Sequence, residues 1–307
     1  MPRLHPLAAA ALAAALSAAV ATGARAQIPV PDPAKVDVKV TTLAEDFHTL
    51  EGAGGTISVL SGPDGVLLVD SQFAPLTDKL VAALRTFTDK PIRFLVDTHV
   101  HPDHVGGNEN FARLGATLFA RDALRERLLH PNPAPDGTPS RPAPPQALPV
   151  VTYDSSTTIH LDGEDVLLVP VTRAHTDGDT VVVFPQHDIV AVGDIFRSVG
   201  YPFVDVSNGG TLAGELEALS EVADRAGPTT RIIPGHGPMV GREALLAQRD
   251  MIIAMRAKVL ALAKQGRTLD EIIAAHPTSE WDAKVPQGAQ TAERFVRWVY
   301  AEVAAQR

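Results

Sequence analysis

The chain reads as an α/β protein with helices packed over sheet. Three observations carry this: short apolar runs bounded by turn residues recur along the chain, segments with helical spacing alternate with them, and the order strand, helix, strand repeats. The composition is that of a folded globular protein, with 45% hydrophobic and 21% charged residues over 307 positions. That length suits one large domain or two small ones.

Apolar runs fall at residues 36–40, 47–50 and 56–60; the turn Pro63-Asp64-Gly65 separates the last from the run 66–69 and makes a hairpin. Leu76, Leu80 and Leu84 recur at helical spacing after Pro75, and Pro91 divides that helix from the strand 92–96. A short helix is expected from about Asn108, then strands at 116–119, 157–161, 166–169, 181–184 and 189–192. A helix at 212–226 and a strand at 231–233 follow. Eight prolines in residues 130–149 forbid regular structure there, so this segment is expected as an extended loop inserted within one domain, bordering the active site. From Arg242 the chain turns helical: Leu245, Ile252, Met255, Val259 and Leu262 form one stripe, and Gly266 ends it. Thr268 and Glu271 form a capping box for the next helix, and Phe295, Trp298, Val299 and Val303 give the apolar face of a last one.

Residues 1–26 have the form of a secretory signal peptide. Arg3 is followed by an Ala/Leu-rich run at 7–21 that is shorter than a bilayer span, and Ala24-Arg25-Ala26 precedes Gln27 in the small-x-small pattern of a cleavage site. The mature protein is therefore expected to begin near Gln27, to be periplasmic or secreted, and to have no membrane contact once the signal is removed. Losing Arg3 and Arg25 leaves 25 basic against 36 acidic residues, a net charge of −11. With no basic cluster, that sign disfavours nucleic acid as a partner and leaves a small-molecule substrate. Oligomeric state is not legible. The absence of cysteine excludes thiol nucleophiles, thiolate-bound zinc, iron–sulfur clusters and disulfides, so any metal must be held by His and carboxylate.

The stretch Asp97-Thr98-His99-Val100-His101-Pro102-Asp103-His104-Val105-Gly106-Gly107-Asn108 places three histidines and an aspartate within six residues. In an extended segment residues two apart share a face, so His99 and His101 can reach one metal, while a bend at Pro102 turns Asp103 and His104 toward a second. Other apolar runs also end in ligand-type residues: 166–169 leads to His175, 189–192 leads through Gly193 to Asp194, and 231–233 leads through Pro234 and Gly235 to His236. Sites in α/β proteins are built at such carboxyl ends of strands.

These residues resemble the metallo-β-lactamase superfamily, whose His-x-His-x-Asp-His motif stands here as residues 99–104, with His175, Gly193-Asp194 and Pro234-Gly235-His236-Gly237 following in order. The resemblance covers roughly residues 40–240. It implies an αββα sandwich. The domain of this fold is expected at 27–240, and a C-terminal helical extension at 241–307, outside the motif resemblance, is expected to pack on the same domain. The resemblance also implies that His99, His101 and His175 hold one metal, that Asp103, His104 and His236 hold another, that Asp194 bridges them, and that Asp70 orients the His-rich loop. The expected cofactor is two Zn2+, with iron as the variant.

Aspartate at 194 is similar to hydroxyacylglutathione hydrolases, whereas lactamases of the commonest type carry cysteine there; histidine at 101 disfavours the flavin-linked diiron branch, which has glutamate. Two zinc ions bring +4, and Asp103, Asp194 and a bridging hydroxide remove three, leaving about +1 to polarise a carbonyl. The expected function is an exported dinuclear zinc hydrolase that cleaves an ester, thioester, lactone or lactam by a metal-bridging hydroxide, with Asp103 as the catalytic residue. A periplasmic β-lactamase, a mononuclear iron persulfide dioxygenase and a non-catalytic binding protein are the alternatives. Tyr201 and Phe203, with Asp205 and Asn208, are expected to wall a substrate pocket. His48, His130, His160, His187 and His276 are read as structural or surface residues.

Overall fold

A computed structural model describes residues 30–133, 137–171, 173–286, 288 and 290–305. The signal-type segment and the expected mature start at Gln27 lie outside these residues. Among the described residues no helix is long and apolar enough to cross a membrane.

Two sheets form the centre. The first has seven strands in chain order: β1 (Lys39–Thr42), β2 (Phe47–Glu51), β3 (Ile57–Gly62), β4 (Gly65–Val69), β5 (Ile92–Val96), β6 (Thr117–Arg121) and β7 (Val151–Tyr153). Strands β1 to β4 pair antiparallel, and β4 to β7 run parallel. The parallel half is connected through α1 (Thr77–Leu84), α2 (Pro102–Val105), α3 (Asn108–Arg113) and α4 (Asp122–Leu129). The second sheet contains β8 (Thr157–Leu161), β9 (Glu164–Pro170), β10 (Thr180–Phe184), β11 (Ile189–Ala191) and β12 (Arg231–Ile233), in the order β12-β11-β10-β9-β8. Helix α5 (Leu212–Arg225) precedes β12, and α6 (Arg242–Lys264), α7 (Leu269–Ala274) and α8 (Ala292–Ala305) complete the chain.

Three apolar layers hold this arrangement. Between the sheets, Phe47, Leu67 and Val96 meet Leu168, Val182 and Phe184. Outside the first sheet, Leu80 and Leu84 of α1 and Phe111 of α3 cover Val59, Leu68 and Leu95. Outside the second, Leu219 and Val222 of α5, Ile252 and Met255 of α6 and Val299 of α8 cover Val169, Val181 and Val190. The architecture is therefore an αββα sandwich. Because β4 is covered on both faces, it reads as a continuous apolar run rather than an alternating one.

Several elements depart from the sequence reading. The first strand is displaced to Lys39–Thr42, since Pro33–Lys35 forms a single 3-10 turn ahead of it. Helix α4 was not anticipated: Leu124 is its one buried residue, so no apolar stripe marks it. Strand β7 also escaped notice, being three residues long at the sheet edge and directly behind the prolines. Among its described residues the proline-rich segment holds a 3-10 turn at Pro145–Ala147.

Candidate metal centre

The strands place every expected ligand residue, and Asp70, at one end of the sandwich. Asp70 follows β4, the run from Thr98 to His104 follows β5, His175 lies between β9 and β10, Asp194 follows β11 and His236 follows β12. At the end of β5 the chain leaves the sheet, and Pro102 starts α2, which turns Asp103 and His104 back toward the centre. Glycine is required around the site where neighbours come too close for a side chain. A Cβ at Gly55 would lie 2.2 Å from His104 Cε1, and one at Gly235 would lie 2.0 Å from Asp194 Oδ1.

The seven residues converge in two adjoining groups, His99, His101, His175 and Asp194 in one and Asp103, His104 and His236 in the other, with potential ligand atoms within 4.8 Å of one another in each. His101 Nδ1 is 3.2 Å from His99 Nε2 and 3.0 Å from His175 Nε2. His236 Nε2 is 3.4 Å from His104 Nε2 and 3.2 Å from Asp103 Oδ2. Asp194 reaches both groups: Oδ1 is 3.3 Å from His236 Nε2 and 3.4 Å from His104 Nε2, while Oδ2 is 3.8 Å from His175 Nε2.

Outside contacts fix the tautomers. His99 Nδ1 is 3.0 Å from Thr98 Oγ1, whose hydroxyl donates to Asp70 Oδ2. His104 Nδ1 donates to the same Asp70 oxygen at 2.7 Å. His101 Nε2 donates to Asp205 Oδ2 at 2.8 Å, and His175 Nδ1 to the Phe203 carbonyl at 2.7 Å. An imidazole that donates from one nitrogen presents a lone pair at the other. With all four rings neutral, four such lone pairs face inward at close range, where they repel one another unless an electropositive centre, a cation or a proton on one of them, lies between them.

Charge points the same way. Burial holds His99 and His101 well below the ordinary histidine range, and His175 at about 4, so these rings are neutral. His104 is opposed by its burial, but Asp70, Asp103 and Asp194 outweigh this and raise it well above that range, so the pocket favours positive charge. Burial works against ionising Asp194 and Asp103, yet His236, Arg197 and His104 hold Asp194 well below the carboxylate range, and His104 with His236 brings Asp103 to about 2. Asp103 Oδ1 and Asp194 Oδ1 are buried without a hydrogen-bond partner. Orphaned carboxylate oxygens beside inward-facing imidazole nitrogens form a hard and borderline donor set that suits a divalent cation such as zinc. The residues present fit the expected metals.

The Phe203 ring lies beside two of the histidines, its centroid 6.3 Å from His101 and 5.6 Å from His175. Tyr201 does not, which corrects the sequence expectation. Its ring stacks on Phe295 of α8 at 5.4 Å and its hydroxyl donates to Asp282, because burying the aromatic face against the C-terminal helices satisfies both its apolar body and its polar tip. Asp205 is a histidine partner rather than a pocket wall. Sequence reasoning missed Arg197, which donates to Asp194 Oδ2 at 2.7 Å and adds a positive charge to the ligand count. Its spacing of three from Asp194 was the available signal.

The profile of the metallo-β-lactamase superfamily matches residues 50–263, past residue 240 and through most of α6. The chain is 24% identical over 195 residues to the metallo-β-lactamase type 2 of Bacillus cereus, covering 63% of this chain and 71% of that protein. Among solved structures, a stereoselective inverting sec-alkylsulfatase from Pseudomonas sp. superposes with a TM-score of 0.64 at 18% identity, over 86% of this chain and 50% of that one. This chain thus spans half the length of that sulfatase. A metallo-β-lactamase from Pontibacter korlensis superposes with a TM-score of 0.58 at 21% identity, over 71% of this chain and 99% of that one.

Proposed function

Given that the chain belongs to the metallo-β-lactamase superfamily and is a metal-dependent hydrolase of it, we propose an exported dinuclear zinc enzyme that cleaves an ester, thioester, lactone or lactam carbonyl. The observation that carries this reading is the set of four histidines tied outward, with their free lone pairs converging on two ionised, unpartnered carboxylate oxygens.

In this reading His99, His101 and His175 would hold one ion and Asp103, His104 and His236 the other, with Asp194 shared between them. Bound zinc supplies a Lewis acid and lowers the pKa of water from 15.7 to about 7, so no Ser or Cys nucleophile is needed. Asp103 is ionised at neutral pH, and its unpartnered Oδ1 would accept a proton and orient water at the centre. Arg197 fixes the carboxylate of Asp194 and adds positive field where an oxyanion would develop. The Phe203 ring, half-buried beside His101 and His175, excludes water on that side.

The test is metal content of the purified chain together with hydrolysis of nitrocefin, aryl esters, lactones, thioesters and a sulfate ester. The lactam and sulfate arms are included because the Bacillus cereus and Pseudomonas relatives carry those names. Two zinc ions per chain and turnover of a carbonyl substrate, both lost in His101→Ala and Asp103→Ala, are expected. One iron with oxygen uptake would identify a dioxygenase instead, and hydrolysis that survives either substitution would sink the proposal.

A further inference from the structure

The two groups of ligand residues are braced by different parts of the fold. Asp70, at the end of β4, accepts from Thr98 N and Thr98 Oγ1, both at 2.8 Å, and from His104 Nδ1. Through Thr98 it also orients His99, so one carboxylate serves a histidine in each group. The remaining histidines of the first group, His101 and His175, depend instead on Asp205 and on the Phe203 carbonyl. Both lie in the loop between β11 and α5.

That loop is fastened from behind by the C-terminal part of the chain. Gly200 N donates to Pro286 O at 2.8 Å and Tyr201 N to Gln290 O at 2.9 Å. The Tyr201 hydroxyl reaches Asp282, and its ring stacks on Phe295. The carboxylate of Asp205 is locked as well: Oδ1 accepts from Ser207 N, Ser207 Oγ and Asn208 N, while Oδ2 accepts from Asn208 Nδ2 and from His101 Nε2.

Resting on the two-cation reading above, we infer that the C-terminal contacts made through Tyr201, together with Asp205, set the affinity of one metal position only, that of His99, His101 and His175. Tyr201 and Asp205 are positioning residues. The position of Asp103, His104 and His236 is held from the first sheet through Asp70. An asparagine at 205 cannot meet both demands. If its oxygen faces the two backbone amides, its NH2 group faces His101 Nε2 and forces that ring into the tautomer whose inward Nδ1 carries the proton.

Stepwise Zn2+ binding to the stripped full chain, in competition with a chromophoric chelator, tests this, with the visible spectrum of Co2+ titrations as the second readout. Two steps are expected for the unmodified chain. D205N weakens one of them about 10- to 100-fold and leaves the other within about threefold. Y201F keeps the stack on Phe295, loses the hydroxyl, and weakens the same step by less. Asp70→Asn weakens both steps. Metal-free melting curves of each variant separate folding from binding. Two ions bound with D205N and Y201F acting on both steps, or on neither, overturns this inference alone. Fewer than two ions in the unmodified chain overturns the two-cation reading and this inference with it.

Discussion

Asp70 Oδ2 lies 2.7 Å from His104 Nδ1, and Asp70 reaches that position from a left-handed backbone with φ of 71°. A non-glycine residue there carries strain of order 1 kcal/mol or more, which persists only where the surroundings over-determine it. Here they do: the carboxylate is buried, and three donors from the loop after β5 converge on it. The strained residue therefore lies at the point where the first sheet dictates the orientation of two imidazoles.

Asp70→Asn tests that role, because asparagine tolerates a positive φ and keeps the shape. With its oxygen on Thr98 N, its NH2 group faces His104 Nδ1, and the ring must turn its protonated Nε2 inward. Metal affinity and hydrolysis are both expected to fall about 10- to 100-fold with the fold retained. Equilibrium zinc binding and circular dichroism measure the two outcomes, and unaltered zinc binding would refute the assignment.

Gly55→Ala probes the closeness of the loop between β2 and β3 to the centre. The new methyl group meets the ring of His104, which cannot retreat while Asp70 holds it. Overpacking of this kind costs about 1–3 kcal/mol, and it falls on a ligand residue. The expected result is a lower melting temperature with a disproportionate loss of metal. A variant that binds zinc normally would show that His104 has more room than the structure gives it.

Removing metal is expected to abolish hydrolysis and to destabilise the chain. A ligand at about 1,000 times its Kd contributes roughly 4 kcal/mol to folding, and repulsion among the inward lone pairs returns when it leaves. Differential scanning calorimetry before and after chelation should show a downward shift that zinc restores. No shift, with zinc shown to have been present and removed, would contradict the proposed centre.

His187 gives a pH prediction away from the metals. Its burial opposes the charged form, but hydrogen bonds to Asp46, at 2.9 Å, and to Glu164 outweigh it and raise its pKa. A histidine raised by folding adds stability that is complete below its unfolded value of about 6.5 and is lost as pH rises through the folded value. The gap in melting temperature between the unmodified chain and Glu164→Gln should therefore be wide at about pH 5.5 and narrow at about pH 9. An equal gap at both would show that the ion pair contributes nothing.

Much of this was legible along the chain. Strand β4 was visible because burial on both faces leaves an unbroken apolar run, β3 and β5 because they are mostly apolar and bounded by turn residues, and α6 because its single buried face repeats at helical spacing. The six residues from His99 to His104 announced the site because they supply four candidate ligands within one loop. Helix α4 and strand β7 stayed hidden, since one buried leucine and a three-residue edge strand leave no periodic trace. Tyr201 was misjudged because an aromatic residue near a site has the same local signature whether it faces the substrate or the core.

Residue identity along the chain determined the layering, the choice of oxygen and nitrogen over sulfur as ligand atoms, and which strand ends carry them, because these depend on composition and on spacing between near neighbours. Which nitrogen each histidine turns inward, which carboxylate braces it, and how Arg197 meets Asp194 were decided only by the folded chain. The pair His101 and Asp205 lies 104 residues apart in sequence. A hydrogen bond over that span depends on two sheets and a loop closing on one another, and no local periodicity records it.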